Sequence, residues 1–597
     1  MKLLKRIANE LPSYARLREN LEEGRTPTLL IGPSEVHKAH FLFSLSEDLG
    51  EPLLAVTHDE ASARRITEDI NAMNGGEEIA FLYPARDFVL RQAEVASREY
   101  EQIRLGVLAR IQSGECRVAV ASMEALLQHT LPPEKLAERT FTIDTESPCL
   151  VEELTRRLIR SGYENRVQVE GTAQFSVRGG IIDLYPPNCS APVRIELWGD
   201  EIDTMASFDL QTQRRTEPVS RITVTPASEV LFDSPAELEK ALEGLVQKTR
   251  NADAGKSFQM DLEKIRAGIS LPSLDKYLAL AYEHPATLFD YLPDAPVIFS
   301  EYASCKDRVK TYLWQQQEDQ KQLLEEGELT RPLIAFDESL PYLLNQIPKR
   351  RTVFMDTFAR SSQEIQFADL LSVNPVQTSY FSGELKLLRE DVSPLLEQGG
   401  AVLLFAGTQK AAVALAHDLQ GMGLPAEYAK DADAISYRKV MVFANNLSAG
   451  FEYPEIKVAL ITTGRPAETR KKAARFKKGK SLQSLTDLSP GDLVVHVSHG
   501  IGVFEGVHKL ELQGVTKDYI KISYAGSDTL YVPVTQLDLV SKYIGAREDG
   551  KVRLNSLHSG EWQKTRQRAK KAVEDMADEL IQLYARRMEA KGFAFSE

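Results

Sequence analysis

The chain has 597 residues, 43% of them hydrophobic and 26% charged, which predicts several folded units at roughly 100 to 200 residues each and excludes wholesale disorder. Its 72 Lys+Arg against 86 Asp+Glu give a net charge of −14, so nucleic-acid contact is expected only at local basic segments. No run approaches the roughly 18 unbroken apolar residues of a membrane span.

The N-terminal string MKLLKRIANE is interrupted by charge before it can form the apolar stretch of a secretory signal, and a cytoplasmic chain is expected. From Thr28, TLLIG turns through Pro33 into the helical pattern HKAHFLFSLSEDLG. PLLAVT at 52–57 precedes a helical pattern at 61–71, and RVAVA at 117–121 precedes another at 123–129. This βα alternation predicts a parallel α/β unit over residues 1–150. Residues 151–235 change to short alternating strands broken by Gly, Pro and Asn, an antiparallel β part, and 236–330 read as mainly helical. A second α/β domain, of no assigned role, is expected over 350–464, carried by AVLLF at 401–405, a helix at 409–420 and KVALIT at 457–462.

Eight basic residues between Arg465 and Lys480 stand against the single acid Glu468, which marks 465–484 as an exposed linker. It is either a solvated connector or an electrostatic contact for DNA backbone or an acidic protein face. Residues 485–546 predict a small β barrel of the SH3 or Tudor kind, with Gly500, Gly502, Gly506, Gly514 and Gly526 at its turns. An amphipathic helix over 556–592 closes the chain, with Trp562, Ala569, Val573, Met576, Leu580 and Leu583 at helical spacing.

Three places invite chemistry. Gly32-Pro-Ser-Glu-Val-His37-Lys38-Ala39 has the first Gly and the Lys of a phosphate loop. His37 replaces the second Gly, Ala39 has no hydroxyl for Mg²⁺, and Glu35 puts negative charge in the would-be cradle. It is a relic of a nucleotide fold or a chance likeness of a βα loop, and no catalytic residue is expected there. His496 and His499 lack a third ligand nearby and read as structural, so no metal is expected. The four cysteines, Cys116, Cys149, Cys189 and Cys305, are too far apart for a zinc pair and read as buried thiols.

In 192–198, alternation sends Val193, Ile195 and Leu197 to one face and Arg194, Glu196 and Trp198 to the other. An exposed Trp beside an Arg has the composition of a protein-binding hot spot. The alternative is that Trp198 caps a second core with Arg194 stacked on it. Arg178 can join this face if the strands pair. In 507–512, Val507, Lys509 and Glu511 share one face and His508, Leu510 and Leu512 the other, and a strand edge here is available for pairing with a partner. Leu510 as ordinary core is the competing reading.

The string TAQFSVRGGIIDLYPPNCSAPVRIELWGDEIDTMASFDLQTQR resembles the UvrA-contacting part of UvrB, the damage-verifying helicase of excision repair. LSPGDLVVHVSHGIGVFEGV, continuing to YIKISYAGSDTLYVPVTQLDLVSKYIG, resembles the RNA-polymerase-interacting domain of CarD-type regulators. In this order, and followed by EWQKTRQRAKKAVEDMADELIQLYARRMEAKGFAFSE, they are similar to the bacterial transcription-repair coupling factor family. The resemblance implies that residues 1–330 form a UvrB-like UvrA-binding module, with a degenerate helicase-like α/β part and a β insertion, and that 485–546 is CarD-like. By resemblance Arg178, Arg194 and Trp198 match the UvrA-contacting positions, and Lys509, Leu510 and Glu511 the strand that pairs with the β subunit of RNA polymerase.

A departure stands beside the match. Between Tyr83 and Cys116 the chain has a charged, helical pattern and not the tyrosine-rich hairpin with which UvrB senses lesions. The family continues into an ATP-driven DNA translocase, so this string resembles an N-terminal portion for which the helix 556–592 leads toward the motor. ATP, Mg²⁺ and most double-stranded DNA contact are then expected of that motor, and no cofactor of this chain. The function implied is an adaptor that binds polymerase stalled at lesions and recruits UvrA. A UvrB-like ATP-dependent helicase and a CarD-type transcription regulator are the alternatives.

Overall fold

The computed structural model describes residues 2–463 except 89, 91–97, 147, 211, 270, 272, 359–364, 379–380, 382 and 431. It also describes residues 490–542 except 497–499, 513–514 and 534–539, together with Leu554, and in this stretch the side chains of 509–512, 515–519, 527, 533 and 541–542 lie outside the described set. The expected linker 465–484, the expected helix 556–592 and His499 lie outside the described residues. The chain divides into two units, Met1–Pro466 and Ala467–Glu597.

Seven parallel strands organise the first unit, in the order Asp369–Ser372, Thr28–Ile31, Thr352–Asp356, Val297–Ser300, Leu53–Thr57, Val118–Ser122 and Ala80–Tyr83. Thr28–Ile31, Leu53–Thr57 and Val118–Ser122 coincide with TLLIG, PLLAVT and RVAVA, while Ala80–Tyr83 adds a strand that the sequence pattern did not mark. Val297–Ser300 interrupts the stretch read as helical, and the first two strands of the expected 350–464 segment pair in this sheet. VIFS and TVFMD are almost wholly buried. A parallel strand covered on both faces shows no alternation, so local pattern cannot say which sheet it joins.

The helix Glu35–Leu49 follows the first strand and is buried from Val36 to Ser46. One core surrounds it, built from the helices Lys2–Asn9 and Pro12–Glu22, the first sheet, and Phe443, Phe451 and Tyr453 of a second sheet. A helix buried on every side needs such double cover. That second sheet runs Val376–Thr378, Gly450–Tyr453, Val458–Thr462, Ala401–Phe405, Val440–Phe443 and Ala426–Tyr428, parallel over its last four strands. The Asp69 carboxylate joins the two layers, accepting from Ser448 N at 2.8 Å and Ser448 Oγ at 2.5 Å.

The β insertion is a six-stranded sheet ordered Arg215–Pro218, Glu201–Phe208, Val193–Trp198, Ile181–Leu184, Gln174–Arg178 and Glu164–Asn165, antiparallel except for the last pair. Val193, Ile195, Ile182 and Phe175 supply its buried face. Arg221–Val224 pairs instead with Phe141–Asp144 in a separate two-stranded ribbon.

In the second unit, five antiparallel strands run Thr529–Pro533, Val515–Ser523, Gly500–Leu512, Leu493–His496 and Val540–Lys542. Val494, Phe504, Ile520, Ile522, Val532 and Val540 form its core. Three of the four cysteines are buried, Cys189 is half-buried, and none is disulfide-bonded. Among the described residues no helix is long and apolar enough to cross a membrane, and no cluster of side chains could hold a metal ion.

Candidate functional site

The strand Ile181–Leu184 lies between the strands of Arg178 and Arg194, with Arg178 opposite Ile181 and Asp183 opposite Arg194. The two arginines therefore meet through Asp183, not by direct pairing of their strands. Arg178 Nη2 donates to Asp183 Oδ2 at 2.5 Å, and Arg194 donates from Nε to Oδ1 at 2.7 Å and from Nη2 to Oδ2 at 2.9 Å. Asp183 is fully buried. Its hydrogen bond raises the Arg194 pKa above the ordinary guanidinium value, against the burial that opposes charge.

Trp198 lies on the same face one row beyond Arg178, Ile181 and Glu196, opposite Glu201 and at the Gly179-Gly180 end of the sheet. Gly180 is close to the neighbouring strand: its carbonyl accepts from Leu197 N at 2.8 Å, and a Cβ on it would stand 3.0 Å from Leu197 O. The indole is 82% exposed. Arg194 stacks on Phe208, with its guanidinium carbon 4.8 Å from the ring centroid. The alternative in which Trp198 caps a second core under Arg194 is therefore overturned. Glu196 of this face pairs with Arg215.

The phosphate-like loop is occupied by the protein itself. Gly32 has φ +109°, and a Cβ there would lie 1.9 Å from Val373 O. Its N–H donates to Asp356 O at 2.9 Å, within the sheet. Lys38 Nζ, the group that would reach phosphate, donates to Glu301 Oε1 at 2.6 Å and Ser300 Oγ at 3.1 Å. Burial raises the Glu301 pKa, but Lys38 and Thr357 outweigh it and hold the carboxyl below its usual range. Glu35 turns away from the cradle to Arg65, at 2.6 and 3.1 Å. His37 is packed 5.4 Å from the rings of both Phe451 and Tyr453, and burial pushes its pKa down to about 3. With Ala39 offering no hydroxyl, these groups do not fit a triphosphate and its Mg²⁺.

Gly500–Leu512 pairs with Val515–Ser523 along nearly its whole length but with Leu493–His496 only from Gly500 to Val503. Two further hydrogen bonds carry that side to Phe504, whose N–H donates to Asp492 O at 2.9 Å and whose carbonyl accepts from Gly491 N at 2.8 Å. A bulge between Phe504 and Gly506, with Gly506 at φ +127°, bends the strand there. Beyond it, among the described residues, the edge of 507–512 has no strand beside it. Lys509, Leu510 and Glu511 lie on this stretch, opposite Asp518, Lys517 and Thr516. Their side chains are outside the described set. His496 is buried in its strand.

Asp183 and Glu301 escape a reading by motif. The lone acid in IIDLY, one strand from two arginines, is the signal for Asp183. Glu301 gives none, because its role depends on a left-handed φ of 57° and on Lys38, 263 positions away.

Residues 141–230 match the family model of the UvrB interaction domain, and residues 488–544 that of the CarD-like/TRCF RID domain. The chain is 31% identical over 98% of its length to the transcription-repair-coupling factor of Bacillus subtilis, covering 51% of it. It is 30% identical over 99% of its length to that of Staphylococcus epidermidis, covering 51%, and 27% identical over 96% to that of Staphylococcus aureus, covering 50%. The chain thus spans about half the length of the curated relatives it matches.

Proposed function

We propose that this chain, similar over nearly its whole length to about half of a transcription-repair-coupling factor, couples stalled transcription to excision repair. In this reading the sheet of residues 490–542 binds RNA polymerase at a lesion, and the insertion sheet recruits UvrA. One observation carries the proposal: a UvrB interaction domain and a CarD-like/TRCF RID domain occur in one chain. Arg178, Arg194 and Trp198 make up the UvrA-binding site in this reading, whether by contact or by support of the contacting groups. Its support is an 82% exposed Trp on a sheet whose opposite face is packed into a core, since a large aromatic left in water is the usual anchor of a protein interface.

The polymerase contact is read as β-strand addition. The β subunit supplies a strand to the edge of 507–512, around Lys509, Leu510 and Glu511, where no strand among the described residues takes up the main-chain hydrogen bonds. This sheet is the wall of a small SH3/Tudor-like barrel in the same reading. ATP, Mg²⁺ and the main DNA contact belong to the translocase of the longer protein, and the loop at Gly32, His37, Lys38 and Ala39 is structural. Separate titrations of the chain with UvrA and with RNA polymerase test the proposal. Saturable binding of both supports it, and failure of either removes the coupling role.

A further inference from the structure

We infer that Asp183 is a positioning residue for the UvrA face, with Arg194 its second support and Arg178 the arginine it presents. The inference rests on the reading of that face given above. A buried carboxylate is costly unless paired and hydrogen-bonded, and Asp183, fully buried, takes three charge-assisted bonds from two arginines. Two cations on one anion leave an excess positive charge.

That excess is not shared equally. The Arg194 side chain is 15% exposed, its Nε–Nη2 edge lies on Asp183, Nη1 donates to Gln213 O at 3.2 Å, and its guanidinium lies over the Phe208 ring. Three of its five N–H groups are engaged and little of the side chain reaches solvent, so it offers a partner far less than Arg178 does. The Arg178 side chain is 45% exposed and uses only Nη2 on Asp183, with no other partner among the described residues. The three residues of the face therefore divide: Arg178 and Trp198 touch the partner, while Arg194 neutralises and locks Asp183.

The strand order explains why the carboxylate is needed. Arg178 and Arg194 are separated by the Ile181–Leu184 strand, and an apolar residue at 183 would leave two guanidinium groups facing each other without an anion. With Asp183 present, Arg178 is held in one arrangement before the partner arrives. A side chain already ordered loses less rotamer freedom on binding.

The test is the affinity of the full chain for UvrA in a double-mutant cycle of Asp183→Asn and Arg178→Ala, with Trp198→Ala alongside and a thermal melt of every variant. Asp183→Asn keeps the shape and removes the charge. It should weaken binding by about tenfold, the scale of one charge-assisted hydrogen bond. In the Arg178→Ala background it should change affinity by less than about twofold, because the group it positions is gone. A merely structural role would instead lower affinity equally in both backgrounds, and that result overturns the inference. So does unchanged affinity of Asp183→Asn when Trp198→Ala binds weakly, an outcome that leaves the face itself standing. Unchanged affinity of Trp198→Ala removes the face and the inference together. If Asp183→Asn does not fold, Arg194→Lys takes its place in the cycle: it keeps the charge and loses the planar fork. A several-fold loss that disappears in the Arg178→Ala background supports the inference, and unchanged affinity overturns it.

Discussion

The Lys38 ammonium lies 2.6 Å from a Glu301 carboxylate oxygen, with the lysine side chain only 3% exposed. Breaking a buried pair from one side leaves an uncompensated charge, typically 3–5 kcal/mol. Glu301 keeps water on one side, so Lys38→Ala should destabilise by on the order of 2 to 3 kcal/mol in chemical denaturation. The same pairing removes the lysine from phosphate chemistry, and calorimetric titration of the parent chain with Mg-ATP should show no saturable heat. Micromolar binding lost on Lys38→Ala would contradict this account.

Burial pushes His37 down to about 3 and His40 down to about 4. His40 Nε2 lies 2.8 Å from Leu4 O and must carry the proton, which leaves Nδ1 to accept from Tyr453 O–H at 2.9 Å. The unfolded chain protonates both imidazoles as pH falls through about 6.5, while the native state does not until well below that. The stability they contribute is complete above about 6.5 and is lost toward about 4, at up to about 1.4 kcal/mol per pH unit for each. Asp337, pushed up to about 6 by burial, works in the opposite sense between its unfolded value of about 4 and about 6. His37→Leu should therefore flatten the fall in melting temperature between pH 6.5 and 4.5 relative to the parent. An unchanged difference between the two proteins across that range would rule the explanation out.

Trp198→Ala should weaken UvrA binding by roughly 30-fold or more, the equivalent of about 2 kcal/mol for an interface hot spot. Because the indole is exposed, its removal should leave the melt unchanged. Surface plasmon resonance on a folded variant decides the point, and parent-like affinity would reject the assignment.

Main-chain pairing at 507–512 predicts a mild effect of Lys509→Ala on polymerase binding, since a rim charge contributes little. Leu510→Arg should abolish binding with a normal melt if the partner packs on Leu510, because the new charge would be desolvated in the contact. A normal melt with normal binding excludes that role, and a collapsed melt assigns Leu510 to the core.

The sequence made local βα order legible because each strand, turn and helix lies within about 20 residues in TLLIG, PLLAVT and RVAVA and their helices. It made the polar face of Arg194, Glu196 and Trp198 legible because a sheet covered on one side alternates. Two kinds of information were not local. Val297–Ser300 and Thr352–Asp356 are buried on both faces, and their place beside Leu53–Thr57 and Thr28–Ile31 comes only from pairing between distant segments. The partners of Lys38 and Arg178 depend on which strand separates which, so Glu301 carries no local signal at all, and the acid in IIDLY is tied to both arginines only by the sheet order.

The central claim is that one chain holds both partners at once, and mass photometry of UvrA, RNA polymerase and the chain tests it most directly. A complex containing all three is expected, absent without the chain and reduced to the polymerase-bound binary species by Trp198→Ala. A three-component complex that persists undiminished with Trp198→Ala, or one in which UvrA and polymerase displace each other from the parent chain, would contradict it.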